Sequence, residues 1–178
     1  MNLFREFDIA FVGLKSGKHR FHYKIDNKFF ELFEQSPVSR AKVSVDLDFD
    51  KKNNFFLLTF QVSGTIHVAC DRCADEIDFP IDADYSLVVK FDDHREEIND
   101  DSFADVVYIK YSEAIFNVGQ LIYEFIILSV PLGRITCLSV PSKGKCNKET
   151  LKLLNNLSPE SDNKPDPRWD SLKKIKNK

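Results

Sequence analysis

The sequence predicts an α+β domain: mainly an antiparallel sheet, as a curved sheet or open barrel, with one long packed helix and short C-terminal helices. Three observations carry this reading. Apolar and polar residues alternate with period two through most of the first 110 residues, as half-buried strands require. The 178 residues include 16 Phe against only 6 Gly, which suits a strand-built core and disfavours a glycine-loop nucleotide-binding fold. The pattern then changes once, at residue 117, to a helical period.

The elements follow in order. Phe7, Ile9 and Phe11 alternate with polar residues, as do Phe21, Tyr23 and Ile25. Strands over 5–12 and 18–26 are therefore expected, joined through Gly13-Leu14-Lys15-Ser16-Gly17. Asp26 or Asn27 can cap a short helix, Lys28 to Phe33. Val43, Val45, Leu47 and Phe49 mark the next strand, and Phe56, Leu58, Phe60 and Val62 the one after a polar turn at 51–54. Ser63-Gly64 reads as a further turn, before Ile66, Val68 and Cys70. Strands over 76–91 and 105–110 bracket an acidic segment, Asp92 to Asp105, which as a block of like charge reads as a solvated loop.

Asn117, with Gln120 three residues on, resembles a capping-box start. Val118, Leu121, Ile122, Phe125 and Leu128 recur at helical spacing until Pro131. A second helix is expected from Asn147 through Leu154. The domain thus spans 1–156, and 157–178 forms a polar, proline-bearing linker followed by a basic C-terminal segment around Trp169.

Composition bounds the function. Hydrophobic residues at 43% and charged residues at 30% describe a globular chain, and a net charge of −3 argues against nonspecific coating of nucleic acid. The most apolar stretch, Leu121 to Leu132, carries Glu124 and ends at Pro131, too short to span a bilayer. Arg5, Glu6 and Asp8 interrupt any signal-like run. A cytoplasmic protein with no membrane partner is expected, and disulfides are disfavoured there.

No catalytic motif stands out, and the four histidines (His19, His22, His67 and His94) follow no ligand-pair spacing. The expectation is a protein without enzymatic activity or a small-molecule substrate. The strongest local signal is Cys70-Asp71-Arg72-Cys73, a C-x-x-C turn that can present two thiolates to one metal, with Arg72 favouring the thiolate form. Cys137 and Cys146 are the other thiols, so Cys70, Cys73, Cys137 and Cys146 form a candidate zinc site and are expected to converge. The competing reading is four reduced cysteines, some buried as small apolar side chains. Basic residues gather in two places. Lys15, Lys18 and Arg20 lie in the opening strands, with Arg72 at the C-x-x-C turn. Arg168, Lys173 and Lys174 flank Trp169 in the terminal segment. Cations interleaved with an aromatic can grip RNA, phosphate on cation and base on indole, so these eight residues are the candidate RNA- or partner-binding set. Trp169 and Leu172 can equally dock the tail onto the core.

Several segments together resemble the YceD family of large ribosomal RNA subunit accumulation proteins. They are Gly13-Leu14-Lys15-x-Gly17-x-His19, then Gly64-Thr65 with the C-x-x-C, then Leu121-Ile122-Tyr123-Glu124-Phe125-Ile126 running to Val130-Pro131. Cys146 before the next helix and the terminal Asp166-Pro167-Arg168-Trp169-x-x-Leu172 complete the match. The resemblance implies a non-enzymatic ribosome biogenesis factor needed for accumulation of 23S rRNA and for large-subunit assembly. Its partner would be a large-subunit rRNA precursor or a large-subunit ribosomal protein. The family pattern implies a zinc ribbon from a second cysteine pair. Here Cys137 and Cys146 stand without a second C-x-x-C, so a metal site and a degenerate one are both open. The alternative from another class is a protein–protein adaptor without direct RNA contact, docking through the acidic 92–105 loop.

Overall fold

The computed structural model describes residues 3–34, 36–38, 40–93, 106–133, 135–140 and 146–157. Its centre is a five-stranded sheet in the order β2-β3-β4-β5-β6, and β1 pairs with β7 as a separate two-stranded ribbon. The strands are β1 (Asp8–Ile9), β2 (Gly17–Ile25), β3 (Ala41–Lys51), β4 (Phe55–Ala69), β5 (Glu76–Phe91), β6 (Val106–Ile109) and β7 (Phe116–Asn117). The helices are α1 (Asn27–Phe30), α2 (Gly119–Leu128) and α3 (Lys148–Leu157).

Period-two patterning explains β3 to β5. Val45, Leu47 and Phe49 on β3 and Phe56, Leu58 and Phe60 on β4 project onto one face and are fully buried. Asp46, Asp48 and Gln61 take the opposite, wetter face. The covering layer is assembled from several pieces: Ile122 and Ile126 of α2, Phe29 and Phe30 of α1, and Phe7 and Phe11 from the N-terminal segment. Aromatic contacts join the layers: Tyr85 stacks on Phe125 at 4.5 Å between centroids, and Phe33 on Tyr123 at 3.8 Å.

Four expectations are corrected. The class is α+β, but no long packed helix is present among the described residues. The strongest helix, α2, has ten residues and ends where the Ser129 hydroxyl donates to the Phe125 carbonyl at 2.6 Å. The sheet is open and mixed, because β6 runs parallel to β5. Residues 5–12 do not form a hairpin with the next strand. Buried Phe7 and Phe11 sit in two 3-10 turns, Leu3–Phe7 and Phe11–Gly13, and buried Ile9 lies in the two-residue β1 between them. Alternating burial was legible there, but it arises because this segment lies over the sheet. Lys51 holds it in place by donating to the carbonyls of Phe11 and Leu14, both at 2.8 Å.

The fourth correction concerns Ser63-Gly64. β4 runs straight through this pair and keeps its register with both neighbours. Gly64 has φ +153°, and a Cβ there would stand 2.3 Å from the Lys42 carbonyl oxygen. Glycine is needed for a close strand approach, not for a turn.

Candidate metal centre

The β4–β5 hairpin is the longest in the fold, and Cys70-Asp71-Arg72-Cys73 forms its tip. Chain reversal is tight: the Ala74 amide donates to the Cys70 carbonyl and the Cys70 amide to the Asp75 carbonyl, both at 2.8 Å. Ala74 takes φ +60°, the left-handed region that alanine enters at a cost. The reversal aims both thiols inward, and Cys70 and Cys73 are buried.

A second loop, distant in sequence, is bonded to this tip. Asp71 accepts from the Ile135 amide at 2.7 Å through its carboxylate, and its own amide donates to the Ile135 carbonyl at 2.8 Å. This two-way contact brings in Cys137, which is buried in the turn that Ser139 closes onto Thr136. Asn147 makes the remaining connection. Its carboxamide oxygen caps α3 by accepting from the amides of Glu149 and Thr150. Its nitrogen donates to Asp75 at 3.3 Å. The adjacent Cys146 is thereby set against the hairpin tip, and with Ile77 it packs on the other three cysteines as a small satellite of the main core.

All four Sγ atoms lie within 4.8 Å of one another, and Cys73 Sγ is 3.6 Å from Cys137 Sγ. A tetrahedral ion with sulfur bonds of about 2.3 Å needs sulfurs about 3.8 Å apart. Four convergent thiols are the donor set of a soft, four-coordinate cation, so the residues present fit such an ion. The cluster also stabilises thiolate. Burial pushes Cys70 up, but the amides of Arg72, Cys73 and Cys137 and the Cys137 thiol outweigh it and hold Cys70 down at about 6. The Arg72 amide lies 3.4 Å from Cys70 Sγ. Burial first, and then the neighbouring thiols, push Cys137 up. Without a cation, negative charge thus gathers on Cys70, and a divalent ion would displace the remaining thiol protons.

The other candidate residues are not gathered into one site. Arg72 is exposed beside the cysteines. Lys15, in the loop before β2, and Lys18, at its start, are exposed. Arg20 is committed to Asp48 through two bonds, of 2.7 and 3.1 Å, and His22 lies 2.8 Å from Asp46. The Asp48 carboxylate raises the Arg20 guanidinium, and Arg20 in turn lowers Asp48. The basic row of β2 therefore faces an acidic row on β3, a pairing that period-two reading of each strand alone does not reveal. Arg168, Trp169, Lys173 and Lys174 lie outside the described residues, as does most of the acidic 92–105 segment. The residues that sequence reasoning missed are the struts Asp71, Asp75 and Ile135. Their only signal was the turn-forming character of aspartate at the hairpin tip.

A family model described as the large ribosomal RNA subunit accumulation protein YceD matches residues 58–176, more than half of the chain and including all four cysteines. No curated protein and no solved structure matches.

Proposed function

The chain belongs to the YceD family of large ribosomal RNA subunit accumulation proteins, and from that premise we propose that it is a non-enzymatic assembly factor for the large ribosomal subunit. It acts in the cytoplasm by binding a precursor of 23S rRNA, or a ribosomal protein on that precursor, and so supports accumulation of the RNA. The family match carries this reading, and the cysteine centre supports it as the structural element that braces the hairpin tip. Zinc is the ion proposed there, because four thiolates in a closed site suit it and leave no open position for chemistry.

Arg72 beside the centre and Arg168, Trp169, Lys173 and Lys174 in the terminal segment are the proposed contacts. The direct test is capture of the tagged full-length protein from lysate, with and without ribonuclease, scored for large-subunit rRNA precursors. The expected result is precursor recovered with the protein and lost on ribonuclease treatment. Recovery of ribosomal protein that survives ribonuclease would favour the adaptor reading. The triple variant Arg168→Ala, Lys173→Ala, Lys174→Ala should weaken capture and flatten its salt dependence. Unchanged capture would remove the tail from the interface.

A further inference from the structure

On β2 and β3 the outer face of the sheet carries five basic side chains, and their surroundings differ sharply. Arg20 and His22 are bonded to Asp48 and Asp46. Lys18 stands opposite Asp50 in the β2–β3 register and lies in the field of Asp48. Lys24 and Lys42 have no such partner. The register places Lys24 opposite Ser44, and Ser44 opposite Ser63, while Lys42 stands opposite Thr65. Among the described residues neither lysine has a carboxylate within ion-pair distance.

The two lysines are diagonal neighbours across β2 and β3, a relation that brings side chains to about 7–8 Å. Like charges so placed repel, and the short side chains of Ser44 and Ser63 leave a depression of about 520 Å³ between them, lined also by Asp26 and Gly64. Asp26 is occupied at the start of α1, where its carboxylate accepts from the Lys28 amide at 3.0 Å. What remains is two ammonium groups and two hydroxyls around one hollow, with the Asp26 carboxylate on its lining balancing one of the two positive charges. The next residue of that row, Asp82 on β5, bounds the favourable region on the far side.

We propose that Lys24, Lys42, Ser44 and Ser63 form a binding site for the sugar–phosphate backbone of RNA on the outer face of the sheet. The lysines neutralise phosphates, and the hydroxyls donate to phosphate oxygens from the floor. Such contacts position RNA without reading its sequence. The site rests on the assembly-factor reading and gives it a second anchor, separate from the cysteine centre and the terminal segment.

The test measures binding of the full-length protein to a fluorescein-labelled 20-nucleotide single-stranded RNA of arbitrary sequence, between 50 and 200 mM salt. Each single-strand phosphate contact contributes about 0.7 to the logarithmic salt slope. The Lys24→Gln, Lys42→Gln variant should lower the slope by about 1.4, so that across this range wild-type affinity falls about sevenfold more than that of the variant. Both lysines are exposed, so the melting temperature should not move. The charge-conserving control Arg20→Gln, Asp48→Asn should keep the wild-type slope. Equal slopes for wild type and the lysine variant would overturn the site, while ribonuclease-sensitive capture of precursors would still support the assembly reading. Binding of inorganic phosphate that needs both lysines, without RNA binding, would also overturn it, by assigning the hollow to a free anion.

Discussion

Substituting Cys137 should disconnect the two halves of the cysteine centre, and the loss can be sized. Cys73 and Cys137 are 64 residues apart, with sulfurs 3.6 Å apart. A metal bridge between them closes that loop in the unfolded chain as any covalent cross-link does. For a loop of this length the closure entropy is worth about 4 kcal/mol at 25 °C. In a chain of this size each kcal/mol moves the melting temperature by about 2–4 °C. Stripping the wild-type protein with a chelator should therefore lower its melting temperature by roughly 10 °C. The Cys137→Ser variant should melt near the stripped value and should not respond to chelator. The assay is calorimetry on protein purified with zinc supplied, alongside elemental analysis. Stoichiometric zinc in the wild type is expected, together with its loss in the variant. Protein that carries no metal and melts at the same temperature with or without chelator would refute the reasoning. The cluster would then be four thiols packed as small apolar groups.

Three further outcomes are expected. Ala74→Gly should stabilise the protein by about 1 kcal/mol in chemical denaturation, because glycine removes the Cβ penalty at φ +60°; destabilisation would mean that the methyl group packs usefully. Gly64→Ala should cost about 3 kcal/mol, at the upper end for overpacking, because the Lys42 carbonyl and the Val43 Cα would lie 2.3 and 2.7 Å from the new Cβ. A melting temperature within about 2 °C of wild type would show that β3 yields easily. Burial raises Tyr23 to about 12 from an ordinary 10, so its neutral form is favoured in the fold. Its contribution is therefore intact below pH 10 and is lost as pH rises towards 12. Tyr23→Phe should flatten that alkaline decline, and an equally steep decline in the variant would place its cause elsewhere.

Much of this protein was readable one segment at a time. Period-two alternation located β2, β3, β4 and β5 because a strand with one buried face imposes that period whatever its neighbour. The start of α3 at Asn147 was readable because a helix end is set within one turn, here by the Asn147 side chain accepting from the Glu149 amide. The cysteines named themselves as a set, since four thiols and one C-x-x-C leave few combinations. Tertiary structure alone decided the rest, wherever a residue's role depends on a partner remote in sequence. Residues 5–12 alternate like a strand, yet they cover the sheet. Gly64 resembles a turn residue until β3 is placed against it. Arg20 is indistinguishable from Lys24 along β2, yet register gives one an aspartate and the other a serine. The convergence of Cys137 and Cys146 on the hairpin tip depends on the bonds of Asp71 to Ile135 and Asp75 to Asn147. Spacing along a chain reports which face is buried, but not what buries it.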